Sequence, residues 1–123
     1  MIEIYDRKGF DRLLCLEGNS LCQADLSNQD LGNANFVQMD LRGADLSNTK
    51  LVGADLRLAN LSGAKLDGAD LSDAEIMGCI FADVSAAGCR LGNLKPSAEQ
   101  RKALKAGGAD LSKVGLDIQI QQG

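Results

Sequence analysis

Every fifth residue from Leu21 to Phe81 is leucine, isoleucine or phenylalanine, without a gap: Leu21, Leu26, Leu31, Phe36, Leu41, Leu46, Leu51, Leu56, Leu61, Leu66, Leu71, Ile76 and Phe81. Two residues before each of these thirteen lies a second, smaller position, and eight of those sites hold alanine (Ala24, Ala34, Ala44, Ala54, Ala59, Ala64, Ala69 and Ala74). A period of five fits neither the 3.6 of a helix nor the 2 of a strand. It belongs to a repeat architecture in which each unit buries its apolar residues only against its neighbours. Composition agrees: 45% of residues are hydrophobic but 3% aromatic. Leucine alternating with alanine fills a narrow lumen without large rings.

The segments Ala24-Asp25-Leu26-Ser27-Asn28 and Ala44-Asp45-Leu46-Ser47-Asn48 resemble the consensus A(D/N)LXX of the pentapeptide-repeat family, as do Ala34-Asn35-Phe36, Ala54-Asp55-Leu56, Ala59-Asn60-Leu61 and Ala69-Asp70-Leu71. The resemblance covers roughly residues 19–91. It implies an all-β solenoid, a right-handed quadrilateral β-helix, with one pentapeptide per side and twenty residues per coil. The central Leu or Phe and the preceding Ala then point inward, giving about 3–4 coils and a rod about 17 Å long at the strand spacing. Asp or Asn before the leucine suits a turn-rich backbone, because its side chain bonds nearby N–H groups.

The departures from the pattern carry their own expectations. Val84 and Ala86 exchange the usual order of small and large, so volume is conserved and the coil continues. Gln29 and Thr49 fall on inward sites twenty residues apart and are expected to bond each other or the backbone. Met39 overfills an alanine site. Open coil ends expose strand edges and lumen, so both need covers. Residues 1–18 are read as an N-terminal cap using Ile2, Ile4 and Phe10, as strand or helix. Residues 19–94 form the solenoid. Residues 95–123 hold a C-terminal α-helical cap and a tail. Ser97-Ala98-Glu99-Gln100 has the form of a capping box, and a helix is expected from about Ala98 to Ala106, ended by Gly107-Gly108, with Leu104 and its alanines on the last coil. Ala109-Asp110-Leu111-Ser112-Lys113 returns in phase, either as a partial repeat or as a strand through Ile118 and Ile120.

Several function classes recede on chemistry. The chain has no histidine, so no conventional triad or His base. Its carboxylates are periodic and exposed rather than paired in a cleft, a filled lumen leaves no substrate pocket, and no glycine-rich phosphate loop is present. We expect no enzyme activity, no cofactor and no metal. Cys15, Cys22, Cys79 and Cys89 match no common zinc spacing. Cys79 and Cys89 fall on the small inward site, where packing is the first reading and a disulfide or metal role the second. Net charge is −4, but residues 19–91 hold ten acids against five bases, a poor match to nucleic acid phosphates. The first fifteen residues show no apolar run like a signal peptide, and no stretch approaches the ~20 apolar residues of a membrane span. A cytoplasmic location with no nucleic-acid or membrane partner is expected. The resemblance further implies a bacterial origin.

On the outside, residues twenty apart should form columns. Asp30, Lys50, Asp70 and Arg90 alternate in sign and are expected to pair as a ladder. Asp25 and Asp45 above Lys65 and Asp67 make another mixed side. Asn35, Asp55 and Glu75 are flanked by Val37, Arg57, Met77 and Leu58, which together form the candidate interaction face, since contiguous exposed apolar residues mark interfaces. The expected function is a non-catalytic interaction or scaffold module for a protein partner, as a monomer or as a weak homodimer through an end cap. The alternative implied by the resemblance is a DNA-mimicking inhibitor of DNA gyrase or topoisomerase. Against it, Lys50, Lys65, Arg57 and Arg90 interrupt the acidic columns. Ice binding through a threonine face has no basis, because Thr49 is the only threonine.

Overall fold

The computed structural model describes residues 1–114. β1 (Ile2–Tyr5) and β2 (Arg12–Leu16) pair antiparallel as a hairpin. From Leu21 onward the backbone stacks on itself with a twenty-residue offset. Parallel bridges join Asp25 to Asp45, Lys65 and Ser85 in turn; Asp30 to Lys50, Asp70 and Arg90; Asn35 to Asp55 and Glu75; and Asp40 to Asn60 and Ile80. Each leucine N–H donates upward, as Leu26 to the Asp45 carbonyl (2.8 Å), and the residue before the next leucine donates downward, as Asp45 to the Ala24 carbonyl (2.9 Å). The result is a β-helix-like solenoid built from single-residue bridges rather than long strands.

The corners explain the outward glycines and asparagines. In each unit the alanine N–H donates to the preceding leucine carbonyl, as Ala54 to Leu51 (3.0 Å), closing a turn. Its third residue has positive φ, as at Gly53 (70°) and Asn48 (58°). Glycine and asparagine adopt that conformation at least cost. The Asp or Asn before each leucine adds a local bond: Asp25, Asp45, Asn60 and Asp70 each accept from the backbone N–H two residues on, at 3.1, 3.0, 3.0 and 2.9 Å.

The lumen is filled and closed to solvent. Leu26, Phe36, Leu46, Leu56, Leu66 and the alanines from Ala34 to Ala69 are fully buried, each leucine contributing about 1.5–3 kcal/mol before entropy. The exchanged pair Val84 and Ala86 is also buried, and the bridges to Ser85 and Arg90 carry the stack past it. Met39 is half-buried, yet the ladder persists, with Asn60 N–H donating to its carbonyl at 3.0 Å. Thr49 is buried and donates its hydroxyl to the Leu26 carbonyl. Gln29 corrects the inward expectation: its side chain is exposed, and its backbone N–H, at 3.5 Å, faces Thr49 Oγ1. The longer amide is better solvated outside than buried beside a single hydroxyl.

Both ends are capped. The N-terminal cap is the hairpin, which inserts Ile4 (1% exposed) into the core, while Phe10, expected to join it, is 80% exposed at the turn. α1 (Ala98–Ala106) covers the other end and begins with the expected capping box between Ser97 and Gln100. Leu104 is fully buried. The alanine face is thinner than expected: Ala103 is half-buried and Ala98 and Ala106 are exposed. Gly107 ends the helix where a Cβ would collide with the Val84 carbonyl, and its own carbonyl accepts from Ala86 N–H (2.8 Å). The chain then returns to repeat grammar: Ala109 and Val114 are buried, Asp110 accepts from Ser112 N–H (2.9 Å), and Val114 N–H donates to the Leu111 carbonyl (3.1 Å). Ile118 and Ile120 lie outside the described residues.

The Asp30, Lys50, Asp70 and Arg90 column stacks as expected but holds no ion pair among the described residues. Asp30 and Asp70 instead accept from Gly32 and Ser72 N–H at 3.2 and 2.9 Å. A local bond to a fixed amide orders fewer rotamers than reaching a long lysine one level away.

Candidate functional site: an outer face beside the C-terminal cap

The Asn35, Asp55 and Glu75 column carries a network that the other columns lack. Asp55 is only 4% exposed. Arg57 grips it in two-pronged fashion, Nε to Oδ1 at 2.9 Å and Nη2 to Oδ2 at 2.7 Å, and reaches Glu75 at 3.4 Å. Arg7, from the loop after β1, lies 2.9 Å from Glu75 and 3.8 Å from Asp55 and donates to the Gly53 carbonyl at 3.2 Å. The Arg57 hydrogen bond holds the Asp55 carboxyl below the usual carboxylate range, against the opposing effect of burial. The Asp55 hydrogen bond in turn raises the Arg57 guanidinium. Arg57 is thus engaged rather than a free cation awaiting a partner. Arg7 belongs to no repeat, and its role has no signature in the sequence.

Beside this network lie the residues expected to form an interaction face. Leu58 is 57% exposed and Met77 76%, joined by the bond from Leu58 N–H to the Met77 carbonyl (2.9 Å). Val37, on the level below, is half-buried and adds less apolar surface than expected. Ile80, not singled out from the sequence, is 47% exposed just past the corner at Gly78, in the column of Asp40 and Asn60.

Leu58 also has φ of 63°. Every other non-glycine residue with positive φ among the described residues is Asn, Asp or Gln. The Leu58 side chain lies across Gly78, where a Cβ would meet its Cδ2 at 2.6 Å. Asn33 over Gly53 and Asn48 over Gly68 make the same stack with a polar side chain. A left-handed leucine costs on the order of 1–2 kcal/mol and gains little from burial here.

An open groove of about 1600 Å³ separates this flank from α1, with Met77 and Ile80 on one wall and Lys102 and Ala103 on the other. The cysteines are free thiols. Burial pushes Cys79 and Cys89 up to about 12, far from a nucleophilic thiolate. Among the described residues no three His, Cys, Asp or Glu side chains group as a metal site, and no helix is long and apolar enough to cross a membrane.

The family described as pentapeptide repeats matches residues 20–57 and 54–93, in eight copies. A comparison with curated proteins finds no match. Among solved structures, one similar chain is a pentapeptide repeat protein from the thylakoid lumen of Arabidopsis thaliana, 28% identical over 84% of this chain and 72% of that one, with TM-score 0.44. A second, from the cyanobacterium Cyanothece 51142, is 35% identical over 58% of this chain and 52% of its own, with TM-score 0.37. A third is HetL, from the cyanobacterium Nostoc sp. strain PCC 7120 and involved in heterocyst differentiation regulation. It is 30% identical over 63% of this chain and 48% of that one, with TM-score 0.24.

Proposed function

We propose, from the premise that this chain belongs to the pentapeptide-repeat family, that it is a non-catalytic module that binds a protein partner through the face formed by Leu58, Met77 and Arg57, with Val37 at its margin. The family has a right-handed β-helix-like fold. A quadrilateral coil repeated about 3–4 times is the finer architecture that fits a twenty-residue offset between bridges. Such a rod offers flat, rigid sides, the general binding surface of solenoids.

One observation carries the reading: an exposed leucine held at φ 63° where the other corners use glycine or polar residues. Stability alone favours asparagine there, so the retained strain points to use of the side chain. Met77 and Ile80 extend the apolar surface, and the paired Arg57 stiffens its edge.

The test is Leu58→Asn. The fold should gain about 1 kcal/mol, read as a raised melting temperature, while partner capture from host lysate falls. Equal capture by both forms would remove this face from consideration. Enrichment of gyrase subunits by both forms would favour the DNA-mimicking alternative.

A further inference from the structure

We infer that the groove between α1 and the last stacked units takes a segment of a partner protein that adds one more level of β-bridges to the solenoid. This rests on the reading of the adjoining face as protein-binding and names the form in which the partner engages it. Lower in the solenoid, the amides that point toward the C-terminal end are met by the next level from Gln23 through Asp73. Leu56 donates to Glu75 (2.8 Å), Leu58 to Met77 (2.9 Å), Leu61 to Ile80 (2.8 Å) and Gly63 to Ala82 (2.8 Å).

One level higher, the equivalent amides belong to Ile76, Gly78, Phe81 and Asp83. None has a protein acceptor among the described residues, and all four residues line the groove. The reason lies in the cap. At Pro96 the chain leaves the repeat and turns into α1, whose own backbone is committed to helical bonds. The cap returns one backbone acceptor, the Gly107 carbonyl, which takes Ala86 N–H at 2.8 Å; against the groove it returns side-chain donors, Gln100 Nε2 donating to the Ile76 carbonyl at 2.7 Å and the Cys79 carbonyl at 2.8 Å. It thereby uses carbonyls and leaves N–H groups.

Each side offers two N–H groups, Ile76 and Gly78 up to the left-handed corner at Gly78 and Phe81 and Asp83 beyond it, and together they select carbonyl oxygens at strand spacing on a peptide that turns at the same corner. The electrostatic match is directional, since the partial positive charge of the amides complements carbonyl dipoles. It also disfavours a second copy presenting the same edge, because donors would face donors. A volume of about 1600 Å³ exceeds the ~300–1,000 Å³ usual for small-molecule pockets. Met77 and Ile80 on one wall and Ala103 and Ala106 on the other favour a segment with apolar residues at alternate positions.

The experiment starts from the full chain. A random twelve-residue peptide library displayed on phage is selected against it, and the best peptide is added to ¹⁵N-labelled protein while amide exchange is followed. The amides of Ile76, Gly78, Phe81 and Asp83 should gain about tenfold protection, with those of Leu26 and Leu31 unchanged. The double variant Met77→Glu, Ile80→Glu should weaken the peptide about tenfold. Failure to select any peptide, or protection elsewhere, overturns the added level; Leu58-dependent capture can survive that result, so the two readings fail separately. If the four amides are already protected in the free chain and lose protection when residues 115–123 are deleted, the groove holds this chain's own C-terminal segment, and the inference is likewise overturned.

Discussion

The two ends of the solenoid solve one problem in different ways. At the N-terminal end the hairpin supplies both an apolar plug, Ile4, and a backbone edge: Asn35 N–H donates to the Tyr5 carbonyl (2.8 Å), Arg7 N–H to the Asn33 carbonyl (2.8 Å), and Asp6 bridges Ala34. At the C-terminal end α1 supplies the plug, Leu104, and the residue after it a single edge contact, with Ala86 N–H donating to the Gly107 carbonyl (2.8 Å), while Ile76, Gly78, Phe81 and Asp83 N–H have no acceptor among the described residues. Covering an apolar lumen and pairing a strand edge are separable tasks. A strand performs both, and a helix, whose own amides and carbonyls are spent internally, performs the first.

The comparison breaks most visibly at Leu104. Leu104→Asp places an unpaired charge over the last coil and should cost about 4 kcal/mol or more. Chemical denaturation should show the loss and light scattering should show association; an unchanged midpoint would mean that α1 is not the plug. The C-terminal coils should also fail first in alkali. Cys79 and Cys89 have folded pKa values raised from 9.0 to about 12. Above pH 9 the unfolded chain gives up these protons more readily. Stability should therefore fall between pH 9 and 12, by up to about 1.4 kcal/mol per pH unit for each thiol. Replacing both with alanine should flatten that slope, and an unaltered slope would contradict their burial.

Smaller effects separate the ends further. Gln100→Ala removes half of the capping box and strands two carbonyls, for about 2–4 kcal/mol of lost stability in thermal unfolding. Arg7→Ala should cost about 1 kcal/mol. It should speed exchange of the Asn35 amide while leaving the C-terminal end unaffected, and uniform loosening would show that the hairpin is not held locally. Asp55 sharpens the point. Its lowered pKa gives stability that is present above the ordinary carboxylate value of about 4 and is lost as pH falls through the folded value. Arg57→Gln should reduce that acid sensitivity.

Legibility followed periodicity. The leucine and alanine register named the lumen residue by residue, and the capping box located α1 at its observed bounds because both rules are local. The candidate face was half legible. Leu58 and Met77 are exposed as the column rule predicts, but the φ of Leu58 was hidden, since nothing in a single leucine announces a left-handed corner. Gln29 shows the converse: its position was inward in phase, yet its side chain reaches solvent. Arg7 against Glu75 and Gln100 against Ile76 and Cys79 join residues separated by irregular chain, where no period links their positions.

The sequence by itself determined what repeats: the five-residue register, the filled core, the stacking partners twenty residues apart, and the places where the pattern stops. Each of these follows from backbone turns and apolar spacing that are the same at every unit. The tertiary structure alone decided what happens at the non-repeating positions. It set which edge amides each cap closes, which carboxylates turn to their own amides instead of to lysines, and where an arginine from the hairpin anchors two levels of the solenoid. Those outcomes depend on the distance and direction between groups far apart in the chain, and only the folded backbone fixes them.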